Sequence, residues 1–249
     1  MGFRRSERGG GAHPGPRARK PARARRTGPR PPVSSYLLRR ALHSVSSITE
    51  PVGLFFFGST KCPSASLEGV KLWQELASAN SMIMLRVYDE TSDAAKCKEL
   101  GVSLFPATLI AGRNRGTMRF YGVPSGYSFQ ALAEAIDAAS SGLPGLSPAA
   151  QERLGAIKRP LRLRVFVNSA SPLCARLSSL ALRLAVGSDF VHTEVFSITD
   201  FPEIAEMYRV DSTPRTVVNG RTEIRGAPPE AEFVEELLGA QVPRTDGYA

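Results

Sequence analysis

The spacing of hydrophobic residues changes several times along the chain, and each change predicts a helix or a strand. Short continuous apolar runs, such as Leu54-Phe55-Phe56-Phe57, are typical of buried strands. Apolar residues three or four positions apart, as in 66–77, predict helices. The predicted order in the first half is helix 35–45, strand 52–57, helix 66–77, strand 82–88, helix 93–100, strand 105–110, strand 117–121 and helix 129–139.

The same order of elements repeats after 140–145, a segment of Ser, Gly, Leu and Pro that marks a boundary. The second half is predicted as helix 147–157, strand 162–167, helix 171–186, strand 190–196, helix 200–208, strand 214–218, strand 222–225 and helix 230–238. Its last two strands turn at Asn219-Gly220, a strong hairpin signal. A repeat of this length predicts two duplicated domains, 34–142 and 143–249, and not a solenoid.

The net charge of +9 is confined to the N-terminal segment. Residues 1–33 contain ten Lys or Arg and one acid, whereas residues 34–249 contain 22 of each sign. With many Gly and Pro and few bulky apolar residues, 1–33 is predicted to be a disordered basic tail. It could bind nucleic acid or an anionic membrane surface, act as a transit peptide, or result from translation upstream of the true start. We favour the last, because no aromatic residues are interleaved to stack on bases.

Composition also limits the kinds of partner. No stretch approaches the about 18 apolar residues of a membrane span, so we expect a soluble, cytoplasmic protein. The three cysteines are too few for a secreted disulfide scaffold, and with three scattered histidines they form no metal-ligand spacing. We therefore expect neither a metal nor another cofactor.

Cys62 is the most informative of the three cysteines, because it lies where a predicted strand gives way to a helix. A helix N-terminus offers free N–H groups and a partial positive charge that favour a thiolate, and Lys61 adds a full charge beside it. A redox pair would need a second cysteine at 65, where Ala65 stands. Cys62 is thus either a reactive thiol or a vestige of a decayed site.

The second half shows the opposite loss. Segment 54–65 aligns with 163–174, which places Ser171 over Cys62 and Cys174 over Ala65. Ser171 followed by Pro172 is a favourable start for a helix, so this change keeps the helix and discards the nucleophile. Cys174, one turn inside that helix, is predicted to face the interior and to be inert.

Two further segments carry a resemblance to a known family. They are 119–127, Arg-Phe-Tyr-Gly-Val-Pro-Ser-Gly-Tyr, and 212–220, Ser-Thr-Pro-Arg-Thr-Val-Val-Asn-Gly. With a thiol at the first strand-to-helix turn and a proline opening the next sheet segment, each half resembles the thioredoxin fold. The chain is similar to tandem disulfide oxidoreductases of thermophilic prokaryotes and to the N-terminal module of alkyl hydroperoxide reductase flavoproteins, and its second half is also glutaredoxin-like.

The resemblance implies an α/β fold of two tandem thioredoxin-like units, each a three-layer α/β/α arrangement with a mixed sheet. It also implies cis peptide bonds before Pro106 and Pro214. In the family each site is Cys-x-x-Cys, in which the first thiolate attacks a disulfide and the second resolves the mixed disulfide. Here Cys62 keeps the attacking position of one motif and Cys174 the resolving position of the other, so both motifs are degenerate.

The leading hypothesis from the sequence is a thiol-disulfide oxidoreductase limited to monothiol exchange at Cys62, with glutathione or protein thiols and disulfides as partners. The alternative is an inactive binding module that captures extended peptides beside the cis-prolines. No disulfide between Cys62 and Cys174 is expected, since they lie in separate units. The candidate catalytic residues are Cys62 and Cys174, and the candidate substrate-binding residues are Lys61, Pro63, Phe105, Pro106, Thr213 and Pro214.

Overall fold

One mixed sheet of eight strands runs through both predicted units in the computed structural model, which describes residues 30–241. Most of the predicted tail, residues 1–29, lies outside the described residues, as do 242–249. In the first half the elements are α1 (Ser35–Ser46), β1 (Val52–Gly58), α2 (Pro63–Ser78), β2 (Ile83–Asp89), α3 (Ala94–Glu99), β3 (Ala107–Ala111), β4 (Thr117–Tyr121) and α4 (Gly126–Ser141).

The second half repeats this order element by element, and α5 takes the place of α1. Its elements are α5 (Pro148–Gly155), β5 (Leu161–Val167), α6 (Pro172–Gly187), β6 (Val191–Ser197), α7 (Pro202–Met207), β7 (Arg215–Val218), β8 (Thr222–Arg225) and α8 (Glu230–Gly239). Every helix and strand expected from the hydrophobic pattern is present, with ends shifted by a few residues. Several helices start at a side-chain cap, as when Ser34 and Ser147 accept the N–H groups of Leu37 and Ala150.

The strand order is β2-β1-β3-β4-β6-β5-β7-β8. Each half contributes four strands with the same pairing: parallel for β1–β2 and β5–β6, and antiparallel in the two pairs that follow. The halves join through β4 and β6, which run parallel in a register that pairs Arg119 with Glu194. The two units therefore share one continuous sheet.

Helices cover the two faces of the sheet unequally. The larger core lies under α1, α2, α4, α5, α6 and α8, and it contains Trp73, Phe129 and Phe233, all fully buried. The smaller core lies under the short helices α3 and α7, where the rings of Tyr121 and Phe196 stack with centroids 4.6 Å apart. This arrangement confirms the three-layer α/β/α fold.

The strand at one edge of the sheet differs from expectation. The apolar run 82–88 predicts a buried strand, yet in β2 the side chains of Met84 and Val87 are 48% and 49% exposed. The reason is its position at the edge of the sheet, since among the strands of residues 30–241 β2 pairs with β1 alone. An apolar run of strand length gives no information about where in the sheet the strand lies.

The segment before α1 contacts both units. Although the predicted tail extends to residue 33, the guanidinium of Arg30 lies 3.0 Å from Glu68 on α2 and 3.1 Å from Asp200, which precedes α7. Pro31 lies close to Gly126 at the start of α4. Residues 30 and 31 therefore pack against the folded units.

Candidate functional site

Cys62 lies at the end of the turn that connects β1 to α2. It is the residue preceding the first helical turn, and Pro63 occupies the first position inside the helix. The Cys62 side chain makes no capping hydrogen bond to the helix. Its thiol is half-buried, whereas the thiols of Cys97 and Cys174 are buried. Cys62 is therefore the accessible thiol of the three in the chain.

Two groups surround the Cys62 sulfur. The hydroxyl oxygen of Ser66, one turn further along α2, lies 3.8 Å from Sγ, and the carbonyl oxygen of Phe105 lies 4.0 Å from it. Phe105 belongs to the loop before β3, and its peptide bond to Pro106 is cis, as the resemblance implies. The structure thus brings Cys62, Pro63, Phe105 and Pro106 together at one end of the first unit.

Ser66 is the site residue that sequence reasoning missed. Its hydroxyl accepts the Ser59 N–H at 2.9 Å and lies within hydrogen-bond distance of the carbonyl oxygens of Cys62 and Ser59. A Cβ atom on Gly58 would lie 3.0 Å from the Ser66 Cβ, so only glycine allows this close approach without a shift. The sequence feature that indicates this contact is a glycine at the end of the strand, Gly58, together with a serine four residues after the cysteine, Ser66.

Lys61 is less free than its sequence position suggests. Its ammonium lies 2.7 Å from Glu90, which also accepts the Ser59 hydroxyl at 2.5 Å. The hydrogen bond to Glu90 and the charge of that carboxylate raise the pKa of Lys61, and the same bond from Lys61 lowers the pKa of Glu90. Glu90 therefore offsets much of the positive charge that Lys61 was expected to lend to Cys62.

Cys97 differs from Cys62 in its surroundings. It lies on α3 in the smaller core, and its thiol points to the carbonyl oxygen of Asp89 at 3.9 Å. Burial, followed by the charges of Asp93 and Asp89, raises the pKa of the Cys97 thiol. A protonated, buried thiol is a poor nucleophile.

The corresponding turn of the second unit has become structural. The Ser171 hydroxyl accepts the N–H of Cys174 at 3.3 Å and caps α6, as predicted for Ser followed by Pro. Cys174 is fully buried, and its sulfur accepts the N–H of Asn168 at 3.4 Å. All three cysteines are free, so Cys174 has no thiol partner. These contacts favour the inert interpretation of Cys174.

The first unit covers part of this second turn. The Ser169 carbonyl accepts the N–H of Tyr127 at 2.9 Å, and the hydroxyls of Ser169 and Ser128 lie 2.9 Å apart. Gly126 has a φ of +47°, and a Cβ there would lie 2.5 Å from the Ser169 carbonyl oxygen. The turn before Ser171 is therefore part of the contact between the units.

The second cis-proline retains one feature of a binding loop. The bond from Thr213 to Pro214 is cis, and neither Thr213 nor Phe105 makes a main-chain to main-chain hydrogen bond within residues 30–241. After Pro214, the buried guanidinium of Arg215 pairs with Asp211 and Glu223. The structure places Thr213 and Pro214 in the second unit, whereas Cys62 lies in the first.

The described part of the chain has neither a cluster of metal ligands nor a membrane-spanning helix. Residues 30–241 contain no group of three or more His, Cys, Asp or Glu side chains arranged to hold a metal ion. Within the same range, the helices are all too short or too polar to cross a membrane.

Comparisons with known proteins agree with this architecture. The thioredoxin domain family matches residues 162–239, which lie in the second unit. No curated protein sequence matches the chain.

Solved structures extend the likeness to both units. A protein disulfide oxidoreductase from Aeropyrum pernix superposes with a TM-score of 0.73 at 24% identity, covering 83% of this chain and 93% of its own. The NTD_N/C domain of the alkylhydroperoxide reductase AhpF from Enterococcus faecalis gives 0.72 at 22% identity, covering 82% and 99%. Sso1120 from Sulfolobus solfataricus gives 0.55 at 16% identity, covering 77% and 98%. The chain therefore has the thioredoxin fold, in two tandem units.

Proposed function

We propose that the protein is a thiol-disulfide oxidoreductase that uses a single thiol, Cys62. The observation that carries the proposal is the accessibility of this thiol at a helix N-terminus, 4.0 Å from the Phe105 carbonyl beside a cis-proline. A thiolate attacks a disulfide sulfur along an open approach, and the other two thiols of the chain are buried. A solved relative by fold is named a protein disulfide oxidoreductase, which supports the same class of chemistry.

The absence of a cysteine at Ala65 determines how the reaction ends. The Cys62 thiolate attacks the glutathionyl sulfur of a mixed disulfide, forms a new disulfide with glutathione and releases the substrate as a thiolate. A second glutathione thiolate then attacks the same glutathionyl sulfur, forms oxidised glutathione and restores the Cys62 thiolate. The proton from glutathione passes through solvent to the substrate thiolate. One disulfide is consumed and one is formed, so atoms and electrons balance.

The surrounding residues have positioning roles in this proposal. Pro63 starts α2 and fixes the helix end on which Cys62 lies. Phe105 makes no main-chain to main-chain hydrogen bond within residues 30–241, so its main chain can pair with an extended substrate. Lys61 acts together with Glu90 as an ion pair at the rim of the site. Cys174 has no part in the exchange.

The test measures deglutathionylation of a glutathionylated peptide. The oxidised glutathione that forms is quantified through its reduction by glutathione reductase. We expect Cys62→Ser to lose turnover and the buried-thiol control Cys97→Ala to retain it. Mass spectrometry of wild-type protein during turnover should show one glutathionyl group on the peptide that contains Cys62. Equal turnover in wild type and Cys62→Ser, or a glutathionyl group found only on another cysteine, would contradict the proposal.

A binding module without turnover remains the second candidate, because one specific observation favours it. Phe105 and Thr213 make no main-chain to main-chain hydrogen bond within residues 30–241, and each lies beside a cis-proline. An extended peptide could add its own hydrogen bonds at either place. In that case Cys62→Ser should capture the same peptides from a random library as wild type. Loss of all captured peptides in Cys62→Ser would leave thiol exchange as the explanation.

A further inference from the structure

A groove between α1 and α4, lined by residues with polar end groups, lies outside the site of Cys62. It has a volume of about 470 Å³, which is within the range of small-molecule sites. One wall is formed by Tyr36, Arg40 and His43 of α1, and Gln130 and Glu134 of α4 contribute the other side. This composition places cationic groups and acceptor groups in the same groove.

The α4 side of the groove carries acceptors that are only partly satisfied. Gln130 is 7% exposed, and its amide nitrogen lies 3.2 Å from the Ser44 hydroxyl and 3.1 Å from Glu134. The carboxylate of Glu134 requires a donor there, which fixes the orientation of the amide. The amide oxygen of Gln130 is then buried and has no hydrogen-bond partner within residues 30–241, so Glu134 is the acceptor on this side that a ligand can contact.

Glu134 itself lacks a cationic partner. Its second oxygen accepts the Ser179 hydroxyl at 2.6 Å, and no Lys, Arg or His nitrogen among the described residues lies within 4.0 Å. A half-buried carboxylate that lines a groove without a cationic partner favours a ligand group that is positively charged and rich in N–H donors. An ammonium group fits this description.

The α1 side has the opposite requirement. Arg39, Arg40 and His43 line the groove without an acidic partner in the described part of the chain, and the Arg40 guanidinium lies 5.9 Å from the Tyr36 ring centre. Arg40 and Glu134 line one groove and yet form no salt bridge with each other. The groove therefore keeps its positive and negative groups apart.

We propose that this groove binds a small zwitterion, a molecule that carries both an ammonium and a carboxylate, such as an amino acid or a short peptide. The ammonium lies against Glu134, and the carboxylate lies against Arg40 with Arg39 or His43. Glutathione belongs to this chemical class, as do free amino acids. The proposal does not depend on thiol exchange at Cys62.

The experiment measures binding by titration calorimetry to the full chain carrying Cys62→Ser, which removes covalent capture at that site. The probes are S-methylglutathione, which has no free thiol, L-glutamate, and glutarate, which is glutamate without the ammonium. We expect a zwitterion to bind and glutarate to bind at least about tenfold more weakly. If S-methylglutathione alone binds, the ligand class is a short peptide, and if glutamate binds equally well it includes free amino acids.

Substitutions then locate the site. Arg40→Gln and Glu134→Gln should each weaken binding by about tenfold or more, whereas Arg159→Gln, an exposed arginine that does not line the groove, should have no effect. Arg40 is exposed, so its replacement tests the proposal even if Glu134→Gln unfolds the chain. No binding of either zwitterion, equal binding of glutarate, or unchanged binding in Arg40→Gln would overturn the proposal.

Discussion

The contact between the two units can be tested at Gly126 with a single methyl group. Gly126 has a φ of +47°, and an added Cβ would lie 2.5 Å from the Ser169 carbonyl oxygen and 2.9 Å from a Pro31 carbon. Gly220 is a matched control, because its φ is +74° and no atom lies within 4 Å of the corresponding Cβ. Both substitutions to alanine impose the left-handed backbone on a side chain, but only Gly126→Ala also creates a clash between the units.

The expected free energies follow from these geometries. A left-handed conformation costs a residue other than glycine about 1–2 kcal/mol, which applies to both variants. An extra methyl group in a closely packed contact costs about 1–3 kcal/mol more, and it applies only to Gly126→Ala. Gly126→Ala should therefore lower the free energy of unfolding by about 2–5 kcal/mol, and Gly220→Ala by about 1–2 kcal/mol.

Urea unfolding can be followed separately in the two units. Trp73 is the only tryptophan in the chain, and it lies buried in the first unit with its indole N–H 3.0 Å from the Thr108 hydroxyl. Its fluorescence reports the first unit, whereas circular dichroism reports both. We expect Gly126→Ala to shift the fluorescence midpoint further than Gly220→Ala. Equal shifts in the two variants would refute the assignment of Gly126 to a close contact with the second unit.

Three further predictions concern the site and the sheet. Removing the hydroxyl with Ser66→Ala should slow alkylation of Cys62 at neutral pH by about 2–10-fold, since one hydrogen bond contributes about 0.5–1.5 kcal/mol. An unchanged rate would show that the contact between the Ser66 hydroxyl and the Cys62 sulfur does not affect reactivity. Ala65→Cys should restore a dithiol one turn from Cys62, so the variant should reduce insulin with dithiothreitol as donor faster than wild type does. Burial, and then the charge of Glu194, raise the pKa of Tyr121 to about 12. The unfolded tyrosine loses its proton from about pH 10, so stability should fall as the pH rises from 10 to 12, and Tyr121→Phe should remove that slope.

The sequence predicts the fold well because its signals are local. Apolar spacing, the Ser-Pro pairs at 147–148 and 171–172 and the Asn219-Gly220 turn each specify one element, and the repeat orders them twice. What it does not contain is the lateral order of strands between units. The pairing of β4 with β6, and the exposed edge position of β2, depend on how two sheets meet, and no short pattern encodes that.

The candidate site also has features that the sequence predicts and features that it does not. Cys62 at a helix start and the proline loop beside it are predictable, because a strand-to-helix turn and its motif can be read along the chain. The pairing of Lys61 with Glu90 and the approach of Ser66 to Gly58 are not, since each depends on contacts across the turn. The sequence therefore identifies the candidate thiol, but the electrostatic surroundings of that thiol require the structure.

The two copies of the turn also allow a test of whether Cys62 is retained for chemistry. In the second copy Ser171 bonds the N–H of Cys174 and caps α6, whereas Cys62 makes no such bond to α2. A serine cap contributes about 0.5–2 kcal/mol, so Cys62→Ser should raise the free energy of unfolding while it abolishes exchange. A gain in stability with loss of turnover would show that the thiol is kept at a cost to the helix. Equal stability of wild type and Cys62→Ser would show instead that a cysteine here costs nothing, and the argument from capping would fail.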